Sequence, residues 1–373
     1  MPKPGYHGIM PDINHDENAL MDFVGSFKSY VTSDIQSGNK EIYEKLVVPK
    51  FKKTHSRKPK DRHEVHKEMR KQNYWQFSGS LSRLYQELKQ EASDINVFRQ
   101  ADILAKKAKS FRSKNSKSTL ELDPKLKVPR YLSAVDIHLL PGCYYTERTK
   151  DDVTAGAMYD PGVYMFALGS MGKYNEDMGE AVIRWLEKTH PGLSPDQILD
   201  MGCSVGHCTL PYAEKFPQSE ITAIDIGAPV LRYAQARSES LGYRINFKQQ
   251  NAEKTRFKDE SFDLIVSHIL LHETSRKATY NIMKECYRLL KPGGIVVHAD
   301  VPINNKKLDP FNAFTRDWST HYNAEPFWGT LHDMDLNDPA LSAGFNSKKI
   351  FIDNAPKIKD SKMPPWLVFG AIK

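Results

Sequence analysis

Apolar positions along the chain follow two different periods. In the first 130 residues they recur at helical spacing: Leu20, Met21, Val24, Phe27 and Val31 line one face of a helix predicted over 17–31. Further helices are expected over 33–46, over 78–92 behind a serine cap, and over 95–111. Residues 1–16, rich in Pro, Gly and Asp, read as irregular. Residues 48–61 carry Pro49 and Pro59 among dense Lys and Arg and read as an exposed loop, and 113–118 as a polar linker. From residue 177 onward short apolar runs alternate with amphipathic stretches. Strands are expected over 198–201, 221–226, 245–249, 262–267, 295–300, 349–353 and 366–372, and helices over 176–190, 206–216, 228–241, 276–289 and 336–345. That alternation is the pattern of an α/β protein whose mostly parallel sheet carries helices on both faces. The chain thus divides into a mainly helical N-terminal domain (1–130), a cap or linker segment (131–176) and an α/β domain (177–373).

The stretch Gln197–Leu210 organises the last of these. An apolar run ends in Asp200, and the turn Gly202-Cys203-Ser204-Val205-Gly206 follows before a helical pattern. Glycines there permit turn conformations and close approach of a ligand, and the free amides of a helix start favour an anionic group. The spacing is not the Gly-x-Gly-x-x-Gly of a dinucleotide site. The Asp200 carboxylate would repel phosphates but suits an ammonium group, so a ligand carrying an amino-acid moiety, such as S-adenosylmethionine, fits better. A second apolar strand ends in an acid, Asp225, about where a Rossmann-like sheet grips ribose hydroxyls. The polar turn Gln250-Asn251-Ala252-Glu253, the strand Phe262–Ser267 and the turn Leu290-Lys291-Pro292-Gly293-Gly294 come next, in that order.

On these motifs the region from about Asp177 to Lys373 resembles the class I S-adenosylmethionine-dependent methyltransferases, and within them the small-molecule branch that includes ubiquinone and menaquinone methyltransferases. The resemblance implies a Rossmann-like seven-stranded sheet with a final antiparallel strand. It also implies cofactor contacts from Asp200, Gly202, Cys203, Ser204 and Gly206 (first motif), Asp225 and Ile226 (second), Asn251, Ala252 and Glu253 (adenine side), and Ser267 and His268 after the fourth strand. Two departures stand out. Ser204 occupies the usual middle glycine position, acceptable where no positive φ is needed, and Asn251 replaces an Asp while keeping an oxygen that accepts a hydrogen bond. The activity that the resemblance implies is methyl transfer to a small-molecule acceptor, in secondary or specialised metabolism.

Composition refines this. Of 53 Lys and Arg and 46 Asp and Glu, residues 1–130 hold 26 and 16 (26 − 16 = +10), and the remainder 27 and 30 (27 − 30 = −3). The basic front raises a nucleic-acid methyltransferase as an alternative. Ser267-His268-Ile269-Leu270 nevertheless lacks the Pro-Pro-aromatic motif of base-amino methyltransferases, and Cys286 lies in a helix rather than at a nucleophile position, so nucleic acid is disfavoured. A non-catalytic cofactor-binding scaffold is the third reading. No apolar run reaches membrane-spanning length, and Cys143, Cys203, Cys208 and Cys286 form no Cys-x-x-Cys pair, so a cytoplasmic protein is expected, with homodimer formation left open. His63-Glu64-Val65-His66 has the wrong spacing for a zinc helix, and no metal is expected.

Catalytic candidates lie beyond the carboxyl ends of the strands: His272, His268 and Glu273 after the fourth, and His298 and Asp300 at the end of the fifth. Histidine suits proton transfer near neutral pH. Tyrosines of the cap, Tyr144, Tyr145, Tyr159 and Tyr164, either pack it onto the core or face a cationic sulfonium.

Overall fold

The computed structural model describes residues 4–113, 115–302, 308–356 and 365–373. Eight strands form one sheet: β1 (Thr119–Glu121), β2 (Gln197–Met201), β3 (Glu220–Asp225), β4 (Asn246–Gln249), β5 (Phe262–His268), β6 (Leu290–Asp300), β7 (Ile350–Asn354) and β8 (Leu367–Ile372). Their order is β1-β4-β3-β2-β5-β6-β8-β7. All neighbours are parallel except β8, which runs antiparallel to both β6 and β7. The expected seven strands are thus present, closing antiparallel strand included. An eighth edge strand, β1, comes from residues ahead of 130. It comes after the expected linker, of which Lys114 lies outside the described residues.

Successive residues of the central strands feed opposite faces, as a pleated strand requires. Ile198 and Ala223 pack under Val182, Trp185, Leu231 and Ala234, whereas Leu199 and Ile224 pack under Ile282, Met283 and Ala340. The helices Asp177–Thr189 and Ala228–Leu241 cover one face, and Arg276–Leu289 and Asn337–Ala343 the other. Ser275 caps its helix by accepting from the Ala278 amide at 3.2 Å, and Gly242 (φ +84°) ends Ala228–Leu241 in the left-handed conformation glycine tolerates.

Several local expectations change. Val48–His55 is a helix, not a loop: Pro49 occupies its first turn, where the missing amide costs nothing. The stretch expected as one helix over 33–46 is broken into π-helical segments Val31–Ile35 and Tyr43–Val47 around Gly38–Ile42. One helix, Asn73–Phe98, runs through the break expected at residues 93–94, and Ala101–Ser110 follows it. The helix after β2 spans only Leu210–Lys215. The turn ahead of it is held by internal bonds: Gly202 N and Cys203 N donate to Ile224 O at 2.8 and 3.0 Å, Ser204 N to Asp225 Oδ2 at 2.9 Å, and Gly206 N to Cys203 O at 2.8 Å.

The front helices pack on the sheet layer. Ile9, Val97, Leu104 and Ala108 share one apolar cluster with Ala155 and Met158 and with Val230, Tyr233 and Ala236. Gly156 permits this contact, since a Cβ there would lie 2.4 Å from Tyr233 Cβ.

Candidate functional site

The strand order reverses between β2 and β5: the chain leaves β2 for β3 and β4, then crosses back to β5. Ligands of open α/β sheets lie outside the carboxyl ends of the strands at such a switch. A crevice opens there, bounded by Gly202 and Ser204 after β2, Asp225 and Ile226 after β3, Gln250–Ala252 after β4 and His268–Leu270 after β5. Tyr131, His138, Tyr144, Tyr145 and Tyr159 of the 131–176 segment roof it.

Asp225 is the fixed point. Ser204 N donates to its Oδ2 at 2.9 Å and Gly227 N to its Oδ1 at 2.8 Å. Burial pushes its carboxyl up from the usual carboxylate range, and the backbone donors oppose that shift. Ser204 adopts φ +48°, so the condition set on the missing glycine is not met. The serine occupies left-handed backbone, and its amide bond to Asp225 compensates there. Asp200, almost fully buried, accepts from Thr209 Oγ1 at 2.6 Å through Oδ2, while its Oδ1 has no hydrogen-bond donor among the described residues. Asn251 Oδ1 accepts from Glu253 N at 2.8 Å. His268 Nε2 lies 3.0 Å from Tyr212 OH.

At the roof, charged groups from distant parts of the chain converge. His272 Nδ1 lies 2.5 Å from Asp300 Oδ1, and its Nε2 faces Glu273 Oε1 at 3.5 Å and Glu325 Oε2 at 3.7 Å. His138 Nε2 lies 3.2 Å from Glu273 Oε1 and 3.3 Å from Glu325 Oε1, and its Nδ1 bonds Tyr144 OH. Burial opposes charging these imidazoles, but the carboxylates outweigh it: His138 is raised to about 9 and His272 stands well above the ordinary imidazole value. Burial likewise works against the Glu273 carboxylate, yet His138 and His272 hold it below the usual range.

Of the residues singled out from the sequence, Gly202, Ser204, Asp225, Ile226, Asn251, Ala252, His268 and Glu273 line the crevice. Asp200, Cys203, Gly206 and Glu253 stand behind it, Glu253 being bonded to Tyr131 OH at 3.2 Å and Asn281 Nδ2 at 2.8 Å. Ser267 turns away, its hydroxyl 2.6 Å from His298 Nδ1 in the sheet interior, so its side chain does not face the crevice. His272 stands just beyond the lining, against Glu273. His63 pairs with Asp333 at 3.3 Å, and His66 stacks on His321 at 4.1 Å, far from a shared ligand position. His138 and Glu325 carried no sequence signal: one lies in a turn-rich aromatic stretch, the other in an irregular segment.

A methyltransferase-domain family model matches residues 198–294. Among similar proteins, the demethylmenaquinone methyltransferase of Lactococcus lactis subsp. lactis is 34% identical over 148 residues, covering 38% of this chain and 54% of that protein. The malonyl acyl-carrier-protein O-methyltransferase of Methylovorus sp. is 24% identical over 166 residues, 43% of this chain and 54% of that one. The chain spans about half the length, or less, of the curated relatives it matches. Among solved structures, phosphoethanolamine N-methyltransferase 2 of Haemonchus contortus with S-adenosyl-L-methionine is 18% identical, covers 57% of each chain and has a TM-score of 0.42.

Proposed function

We propose that this chain, whose residues 198–294 match a methyltransferase-domain family model, is a class I S-adenosylmethionine-dependent methyltransferase that transfers a methyl group to a small-molecule acceptor in the crevice over β2, β3 and β5. One observation carries the reading: an acid at the tip of β3, both oxygens fixed by backbone amides, faces that crevice inside the matched domain. The cofactor would supply an electrophilic methyl group. The residues present fit it. Asp225 keeps lone pairs for ribose hydroxyls, and Ile226 and Ala252 offer apolar surface beside Asn251, while Asp200 stands behind this wall with its Oδ1 3.6 Å from His268 Nδ1. Gly202 (φ +74°) leaves the backbone bare: a Cβ there would lie 2.8 Å from Leu270 Cδ1.

Residues on the acceptor side orient the nucleophile, since displacement at a methyl group depends on a close, collinear approach. His138 and His272 position Glu273 in the crevice wall, and Asp300 fixes the His272 ring. We assign Glu273, held in place by His138 and His272, to orient the acceptor, and His268, tethered to Tyr212, to shape the loop after β5. The tyrosine roof over the crevice supports a small-molecule acceptor.

Calorimetric titration with S-adenosylmethionine tests the reading. The wild-type chain binds one equivalent. Asp225→Ala weakens binding at least about tenfold, the scale of one lost hydrogen bond to a charged group, and Gly202→Arg abolishes it. Far-UV circular dichroism reports whether each variant keeps the fold. Unchanged affinity in a folded Asp225→Ala protein, or no binding by the wild type, overturns it.

A further inference from the structure

We infer that His138, Glu273 and Glu325 form a binding site for one divalent first-row transition-metal ion at the acceptor end of the crevice. The three residues lie far apart in the chain and meet through the fold alone. Their donor atoms lie within 4.8 Å of one another. His138 Nε2 is 3.2 Å from Glu273 Oε1 and 3.3 Å from Glu325 Oε1. Ligands about 2.1 Å from a tetrahedral ion stand about 3.4 Å apart, a spacing that both His138–carboxylate distances match.

A plain ion pair explains the arrangement less well. One ring nitrogen carries a single hydrogen, yet two carboxylates converge on it. Glu325 is 3% exposed, and its Oε2, aimed into the cluster 3.7 Å from His272 Nε2, accepts no hydrogen bond among the described residues. A buried carboxylate oxygen without a donor is costly, and a divalent cation supplies what it lacks. The outer contacts also match those that support metal ligands: His138 directs Nδ1 to Tyr144 OH, and Asn323 Nδ2 donates to Glu325 Oε1. One imidazole with two carboxylates suits Mn²⁺, Fe²⁺ or Zn²⁺ better than an all-oxygen ion such as Mg²⁺. The site borders the crevice through His138, Tyr144 and Glu273, so an acceptor bearing an oxygen or nitrogen donor is the class it would hold.

Metal binding is a property of this cluster and does not require the methyltransferase reading. The full-length chain, stripped with a chelator, is titrated with ZnCl₂ and MnCl₂ by calorimetry, with MgCl₂ for contrast. One Zn²⁺ or Mn²⁺ per chain is expected, weakened at least tenfold by His138→Ala and by Glu325→Gln. S-adenosylmethionine binding by the same samples reports the fold and the neighbouring crevice. No stoichiometric ion in the wild type overturns the site. So does wild-type ion affinity in either variant that still binds S-adenosylmethionine. Should a variant fail to fold, the other and the wild-type stoichiometry decide. Loss of ion binding with intact S-adenosylmethionine binding leaves the proposed function standing, and the reverse result counts against that function alone.

Discussion

Asp160 shows how much a single residue holds together. It is 6% exposed inside the helix Thr154–Phe166, with His7 Nε2 at 2.7 Å, His207 Nε2 at 2.6 Å, Tyr233 OH at 3.0 Å and Arg237 Nε at 3.4 Å. Burial alone would raise its carboxyl, but Arg237 and His207 hold it well below the usual range. Asp160→Ala would leave the fully buried Arg237 without its counter-ion and is expected to cost about 3–5 kcal/mol in urea unfolding. An unchanged midpoint would contradict this. The pH dependence has a defined sign. A carboxyl whose folded value lies below its unfolded one contributes stability that is present above about pH 4 and lost as pH falls through the acid range. His207, depressed by burial below the ordinary imidazole value, adds a loss in the same direction below about pH 6.5. Asp160→Asn should flatten the acid limb, as a stability profile from pH 7 to pH 3 would show. From the sequence, Asp160 is one acid in an aromatic stretch. Its importance comes from residues 7, 207 and 237, which no local pattern links to it.

At the scale of elements, the segment ahead of the first helix matters more than its composition suggests. Residues 4–14 contain no regular element, as the Pro and Gly content predicts, yet Ile9 is completely buried against Val97 and Leu104. Irregular backbone and deep burial coexist because the segment lies in a groove built by other elements. Its polar groups find partners there: Gly8 N donates to Ser240 Oγ at 3.1 Å and Asp12 N to Gln100 Oε1 at 3.0 Å. Ile9→Ala should therefore cost about 2–5 kcal/mol by guanidinium unfolding, the usual penalty for emptying a core position. A change within about 0.5 kcal/mol, typical of a surface site, would refute the packing. The strand β1 makes a similar point. Three residues, Thr119–Glu121, carry no strand signal of their own, and the exposed edge of β4 recruits them. The central strands and their covering helices, by contrast, were legible to within a few residues, because burial on both faces leaves a continuous apolar run.

For the whole molecule, the apolar cluster joining Val97 and Leu104 to Val230 and Tyr233 couples the basic front to the helix Ala228–Leu241 that covers the sheet. Thermal unfolding followed by near-UV and far-UV circular dichroism should give coincident transitions. S-adenosylmethionine at 100 times its dissociation constant should stabilise the protein by about 2.7 kcal/mol, seen as a higher midpoint. Separate transitions, with only the later one responding to ligand, would mean that the two regions unfold independently. Among the described residues no helix is long and apolar enough to cross a membrane.

What the sequence determined by itself is the local architecture of the α/β region: where its central strands and covering helices lie, which strand ends carry Asp200 and Asp225, and which turn carries Gly202. Those features are written in period and burial, which act over a few residues at a time. What only the tertiary structure decided is which polar groups meet. His138, Glu273 and Glu325 come together, Ser267 turns toward His298 rather than the crevice, and the amides after β2 are consumed by Ile224 and Asp225. Such encounters depend on how loops return after long excursions and on packing between elements. A hydrogen bond or ion pair of a few ångströms leaves no trace in the spacing of residues tens of positions apart.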